Sequence, residues 1–323
     1  MADPTPPNED TPDADGDSIS PDEAEHSDAR PSRTGGSTTH ERQVKERYDD
    51  TPFTAWFDQY ADGQLHLGYW PAGREDQSFA DAARGLTRLL IEALQVDDDH
   101  RVLDVGCGVT AGPAIQLAEQ TGCAVEGVTL EDSAEWIVPE RAAAAGVDDR
   151  VTVHVGNAAQ LPFADERFDR AWMIEMLVHV PDKETVLREV YRVLRPGGRI
   201  VIADFPTDEP LATENEWIEA NHFAPCSYAE FERTLEGVGF ESVTAEDYND
   251  SVAVPTFRRM LEHVRANPEE TEAVVGEELF ELFEHGLPLG VEAHENRTLS
   301  YGIFTARKPQ TASQDRGRGT SHR

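Results

Sequence analysis

The stretch VLDVGCGVTAGPA, Val102 to Ala114, places an acid two residues ahead of a glycine cluster. Gly106 and Gly108 let a backbone turn sharply and approach a ligand, as in loops that follow a strand and open a helix. Taken as G-x-G-x-x-A through Gly106, Gly108 and Ala111, the loop would even pass for a dinucleotide fingerprint. Asp104 argues against that reading. A carboxylate at the end of the strand repels a pyrophosphate and attracts a cation, such as the ammonium of an amino-acid group. The loop therefore points to a ligand with an ammonium and a ribose and without phosphate.

Other chemistry-bearing residues fall at the ends of apolar segments. Glu175 and His179, in EMLVHVPD, follow DRAWMI, and Asp204 closes RIVIADF. His179 either pins the turn before Pro181 or contacts a substrate. Asp204 either caps the next segment or acts as a base. His154, inside VTVHV, is expected in the core. Cys107, Cys123 and Cys226 are too few and too scattered for a disulfide framework or a zinc site, so no metal is expected.

These side chains need a scaffold to hold them. Residues 79–94 carry apolar positions at helical spacing behind an N-cap, Ser78. RVLDV (101–105), AVEGVTL (124–130), VTVHV (151–155), DRAWMI (169–174) and RIVIADF (199–205) read as strands. Between them lie a helix opening at Pro113, one running to Ala145 and closed by Gly146, and KETVLREVYRVL, stopped by RPGG. Pro139 is expected to kink or split the second. Ser227 and Glu230 form a capping box for a helix ending at Gly239. FESVTAEDY and LSYGIFTARK read as two more strands. The segment between them, 251–298, contains the helical TFRRMLEHVRA and EELFELFEHGL and suggests a lid. Alternating strands and helices define an α/β fold with ligands beyond the carboxyl ends of the strands.

The 323 residues carry a net charge of −35, and the first forty supply only −8 of it. Residues 1–44 are expected to form a disordered acidic tail and 309–323 a second disordered tail, leaving 45–308 as the folded domain. Lys45, Lys183 and Lys308 are the only lysines, against 25 arginines. An acidic, lysine-poor surface suits a halophilic cytoplasm, where salt screens self-repulsion, and equally a GC-rich genome that favours arginine. It opposes a nucleic-acid partner, which calls for a basic stripe. No apolar run approaches membrane-spanning length and no signal-type apolar region opens the chain, so a cytoplasmic protein is expected.

VLDVGCG, LPFADERFD and HVPDKETVLREVYRVLRPGGRIVIADF, in this order and spacing, resemble class I S-adenosylmethionine-dependent methyltransferases over residues 48–308. HLGYW (66–70) resembles the small-molecule branch acting on quinones, tocopherols, sterol-like lipids, amines and secondary metabolites. The resemblance implies a Rossmann-like, seven-stranded doubly wound sheet with an antiparallel final hairpin and a helical lid. It divides the domain into an N-terminal cover (45–78), a cofactor core (79–206) and an acceptor-side lid with the final strands (207–308). It implies S-adenosyl-L-methionine as cofactor. Asp104, Gly106, Cys107 and Gly108 would surround its methionine part, Thr129 and Leu130 its ribose, and Asn157 and Ala158 its adenine, with Glu175 and Tyr69 nearby. Three positions depart from the family pattern. Thr110 replaces a third glycine, with Gly112 taking over. No acid ends the second strand, so Glu131 or Asp132 stands in. Asn157 takes the place of an aspartate, and its amide oxygen can still accept a hydrogen bond.

A methyl sulfonium is already a strong electrophile, so alignment and exclusion of water are most of the task. A base is needed only where the acceptor must lose a proton. His179 and Asp204 are the candidate catalytic residues. His222, Phe223, Cys226 and Tyr228 fall where the family forms its acceptor pocket, and Tyr48, Phe53, Trp56 and Phe57 join the N-terminal cover. A sarcosine or dimethylglycine acceptor needs a carboxylate-binding arginine, for which Arg258 and Arg259 are candidates. A quinone or terpenoid needs an apolar lid, which Phe257, Met260, Leu261, Leu279 and Phe283 can supply, and this reading is preferred. The alternatives from other classes are a non-catalytic protein that binds the same cofactor and a nicotinamide dehydrogenase, which Asp104 opposes.

Overall fold

The structure, a computed structural model, describes residues 38–49, 51–74, 76–208 and 216–310. Residues 1–37 and 311–323, which hold most of both expected tails, lie outside the described residues. Seven strands form one sheet: β1 (Arg101–Val105), β2 (Ala124–Thr129), β3 (Val151–Val155), β4 (Phe168–Ile174), β5 (Leu194–Asp204), β6 (Glu241–Asp247) and β7 (Gly302–Arg307). Their order is β3-β2-β1-β4-β5-β7-β6. The first five run parallel, and β7 lies antiparallel between β5 and β6. This is the Rossmann-like doubly wound sheet with an antiparallel final hairpin that the sequence led us to expect.

Strand alternation sorts the core onto two faces. Val102 of β1 and Val201 of β5 belong to an apolar cluster shared with α3 (Phe79–Leu94), α4 (Gly112–Thr121) and α5 (Ala134–Ala145). Leu103, Val105, Ile200 and Ile202 belong to the opposite cluster, shared with α6 (Lys183–Val193) and α8 (Tyr228–Val238). Each such side chain contributes about 1.5–3 kcal/mol on burial. Asp104 shares the Val102 face, so β1 carries a carboxylate into this apolar layer. Five more helices complete the cover: α1 (Thr39–Tyr48) and α2 (Pro52–Ala61) before the sheet, and α9 (Ala253–Ala266), α10 (Pro268–Val275) and α11 (Glu277–Glu295) between β6 and β7. A short helix, α7 (Glu216–Ala220), precedes α8.

Several local expectations need correction. Helix α1 starts inside the segment assigned to the acidic tail. Thr38 and Glu41 form a reciprocal capping box that satisfies its first free N–H groups. Helix α5 runs through Pro139 unbroken. Pro139 and Glu135 are exposed there, so the carbonyl that the proline leaves unpaired faces water. RPGG ends α6 but does not separate it from the next strand. Leu194 already pairs with Phe168, and the register shifts before Arg199 pairs with Arg170. His154 is half exposed on the edge strand β3, with Nε2 3.4 Å from Glu126, and not in the core.

The path after Gly108 is now defined. Thr110 Oγ1 donates to the Gly63 carbonyl at 2.7 Å. Ala111 takes the left-handed conformation with φ 46°, and Gly112 opens α4. A Cβ at Gly112 would stand 2.4 Å from the Gly63 oxygen, so glycine is required there by the close approach of the N-terminal cover. Gly106 is held by a different need. Its φ is +80°, and a Cβ would strike the Met176 side chain at 2.3 Å.

Candidate active site

The carboxyl ends of β1, β2 and β4 open into a cavity of about 530 Å³, within the range of small-molecule sites. Helices α1, α2, α9 and α11 close it from above, since Tyr48, Phe57, Phe257 and Phe283 line it. The cavity has two halves with different chemistry.

The half over the glycine loop is walled by backbone and buried carboxylates. Asp104, Gly106, Cys107 and Gly108 line it. Asp104 is 2% exposed, and its Oδ2 is buried without a hydrogen-bond partner. Burial pushes its carboxyl up to about 7, with the Trp172 indole opposing. Thr129 and Leu130 line the wall beyond β2, followed by Glu131. Thr129 Oγ1 donates to Glu131 Oε2, and burial raises the Glu131 carboxyl. Asp132, the other candidate substitute, points outward and pairs with Lys45 at 2.6 Å. Asn157 and Ala158 line the far wall. Asn157 Oδ1 accepts from Ala159 N at 2.8 Å and its Nδ2 donates to Glu41 at 2.7 Å. The amide oxygen expected to meet an adenine amino group is therefore engaged in its own turn.

Glu175 stands at the boundary of the halves. Its φ of 52° lifts it out of the β4 line. Its Oε1 accepts from Leu67 N at 2.9 Å and from the Tyr301 hydroxyl at 2.8 Å, tying the HLGYW segment to the end of the sheet. Burial pushes the carboxyl up to about 8. His66 also faces the cavity, with Nε2 3.0 Å from Thr87 Oγ1. Tyr69 corrects the expectation. It does not line the cavity. Its backbone N–H is held by the Ala82 carbonyl at 2.9 Å and its ring packs near Tyr248, outside the cavity wall.

The other half is aromatic. Phe53, Phe57, Phe205, Trp217, Phe223, Phe257 and Phe283 line it, with Met260. Among them His179 Nε2 lies 3.2 Å from the Tyr48 hydroxyl. Burial, helped by Arg47, pushes the imidazole down to about 3, so His179 is neutral. Asp204, the second catalytic candidate, is not in the wall. Its Oδ2 accepts from Val178 N at 2.9 Å and its Oδ1 from Phe205 N at 2.8 Å. Its two oxygens are used to hold the turns after β4 and β5, which makes it a structural carboxylate.

The remaining expectations divide. Of the residues after β5, Phe223 reaches the cavity. Tyr228 instead donates to the Tyr301 carbonyl and packs on Phe304, and Cys226 joins it against the opposite core. His222 is outside the lining. Leu261 and Leu279 pack on the core without lining the cavity, and Trp56 is fully buried beneath it. Arg258 pairs with Glu295 and Arg259 lies 4.2 Å over the Trp70 ring, so neither serves the cavity. The cation that does line it is Arg47 of α1. Sequence reasoning missed it together with His40 and Glu41. The signal was present in Thr38-Thr-His-Glu41, a capping-box pattern that announces a helix start.

A mostly parallel sheet with a loop of this shape over a two-part cavity suits an enzyme that binds two small molecules side by side, and comparison with known proteins identifies the family. Residues 103–202 match the family model described as a methyltransferase domain. The 27-O-demethylrifamycin SV methyltransferase of Amycolatopsis mediterranei is 32% identical over 273 residues, covering 83% of this chain and 97% of that protein. Methyltransferase GfsG of Streptomyces halstedii is 44% identical over 140 residues, 43% of this chain and half of that protein's length (50%). The crystal structure of the [4+2]-cyclase SpnF matches with TM-score 0.71 and 27% identity, covering 84% of this chain and 97% of that one. The chain belongs to the class I S-adenosylmethionine-dependent methyltransferases, in the small-molecule branch. It is an enzyme whose methyl donor is S-adenosyl-L-methionine. Among the described residues, no helix is long and apolar enough to cross a membrane.

Proposed function

We propose that the enzyme methylates a hydroxyl oxygen on a bulky, largely apolar small molecule. The observation that carries this reading is the buried His179–Tyr48 pair set in an aromatic half-cavity. A sarcosine-sized acceptor would leave that half unfilled. The nearly full-length similarity to a methyltransferase named for a 27-O-demethyl substrate supports the same acceptor chemistry.

The residues present fit the methyl donor. Asp104 offers a buried, unpartnered carboxylate oxygen to an ammonium. Glu131, at the end of β2, offers its carboxylate to ribose hydroxyls in place of the missing strand-end acid. Gly106, Cys107, Gly108, Thr129 and Leu130 form the wall between them, and Asn157 and Ala158 close the far side. When bound, S-adenosyl-L-methionine supplies an electrophilic methyl group. The chain's own residues do the rest. The aromatic wall excludes water and orients the acceptor. With His179 neutral, its Nε2 accepts the hydrogen bond of the Tyr48 hydroxyl, and the Tyr48 oxygen, which the Arg47 guanidinium already approaches, accepts a second one from the acceptor through its other lone pair. A weak base suffices, because the acceptor oxygen becomes strongly acidic as it gains the methyl. The proton passes by way of Tyr48 to His179 Nε2.

The same reading assigns the enzyme to a salt-rich cytoplasm, supported by the net charge of −35 and the three lysines. The deciding experiment supplies methyl-labelled cofactor to the purified enzyme with cell extract in molar KCl. A labelled O-methyl ether of an apolar product is the expected result. Labelled betaine or a labelled protein would refute the acceptor class. Tight binding of S-adenosylhomocysteine with no labelled product would favour a chain that binds the cofactor without transferring the methyl.

A further inference from the structure

Arg47 is the only lysine or arginine among the described residues that line the cavity. In this acidic chain the other surface and half-buried arginines commonly find carboxylates. Arg84 pairs with Asp62 and Asp81, Arg141 with Asp58, Arg192 with Asp165 and Glu189, and Arg297 with Asp208 and Asp247. Arg47 has no carboxylate within ion-pair distance among the described residues. Its guanidinium lies 4.8 Å over the Phe53 ring, which fixes its plane. Nη2 donates to Asn221 Oδ1 at 3.0 Å, and Asn221 Nδ2 is itself held by the Trp217 carbonyl at 2.7 Å. Nε is buried without a hydrogen-bond partner. A guanidinium stacked on one face and oriented by Asn221 and by the Tyr48 hydroxyl beside it still has its Nε–H to offer, and is preorganised to receive a planar anion.

We propose that the acceptor carries a carboxylate and that Arg47 holds it, a specificity contact that rests on the methyl-transfer reading above. The neighbouring groups favour a single negative charge. The His179 imidazole is pushed down to about 3 by burial and by Arg47 itself, so it adds no second cation for a dianion such as a phosphate. Tyr48 follows Arg47 in α1 and reaches His179, which sets the carboxylate anchor beside the hydroxyl to be methylated. The acceptor is therefore an amphiphile: an apolar body against Phe257 and Phe283, and a hydroxyl and a carboxylate toward α1.

The test is calorimetric binding to the full-length protein saturated with S-adenosylhomocysteine. The probes are 3-hydroxy-2-naphthoate and its methyl ester, which differ in charge and little in shape. The acid is expected to bind about tenfold or more tighter than the ester, the scale of hydrogen bonds to a charged group. Arg47→Met should weaken the acid and leave the ester unchanged, with Arg47→Lys intermediate because it restores charge without the fork. Both variants should keep their affinity for S-adenosylhomocysteine, which reports the folded cofactor half. Equal binding of acid and ester, a gap that survives Arg47→Met, or an acid that fails to bind while the cofactor product still does, would each overturn the proposal. Failure of the parent protein to bind S-adenosylhomocysteine would instead overturn the methyl-transfer reading beneath it.

Discussion

The two halves of the cavity are built from different materials. The cofactor half is made by consecutive pieces of chain at the ends of β1, β2 and β3, and its polar groups are carboxylates without cationic partners, Asp104 and Glu131. The acceptor half is assembled from α1 and α2 and, far along the chain, α9 and α11, and its surface is aromatic around one arginine, with the neutral His179 among the rings. The first half holds two carboxyls in an apolar layer, where burial disfavours their charged forms, a cost that a cationic ligand reduces. The second excludes water and positions whatever enters. On the proposed reading, donor binding is an electrostatic matter, whereas acceptor choice is one of shape with a single polar anchor.

The strongest blow to this contrast is Asp104→Asn. It should weaken S-adenosylhomocysteine binding about 100-fold or more, since one partner of a buried charge pair is lost. In the ligand-free protein it should raise Tm at pH 8. The folded-state pKa of about 7 lies above the ordinary 3.8, so the parent loses stability as pH rises across that window, at most about 4 kcal/mol. Unchanged cofactor affinity in calorimetry would dissolve the distinction between the halves.

Next in size is His179→Ala, expected to lower kcat about 100-fold while leaving affinity for S-adenosylhomocysteine intact, with Tyr48→Phe in the same direction. A loss confined to cofactor binding would move His179 to the wrong half. Asp204→Asn serves as the control, since its effect should appear in Tm and not in kcat at low temperature.

The smallest effect tests the seam. Glu175→Gln keeps an oxygen to accept from Leu67 N and the Tyr301 hydroxyl. The parent's Glu175 has its pKa raised from 4.5 to about 8, so its contribution is fully present below 4.5 and is lost as pH rises through 8. The variant should therefore melt about 5 °C higher at pH 8, and the gap should close toward pH 4.5. A gap independent of pH would show that the carboxyl is not buried as a neutral acid.

Much of the cavity half over the glycine loop could be read from residues alone. Asp104, Gly106 and Gly108 lie within five residues, and their spacing carries both the turn and the charge. The strands and the capped helices beginning at Phe79 and Tyr228 follow from local periodicity and capping. Asp204 and Tyr69 were misjudged for one reason. A residue's position at a strand end or in a motif does not say whether neighbouring N–H groups or a packed ring have already claimed it. Asn157 does line the cavity, but its oxygen also caps its own turn, a local use that the motif does not announce.

What the amino-acid order determined by itself was the alternation of strands and helices, the loop that bends after β1 and the placing of a carboxylate in it, since these depend on contacts between near neighbours. Tertiary structure alone decided that Arg47, and neither Arg258 nor Arg259, reaches the cavity. It also decided that His179 meets Tyr48 across 131 residues of chain. Such meetings depend on how distant helices pack over the sheet, and that packing is the summed outcome of many weak contacts that no local pattern encodes.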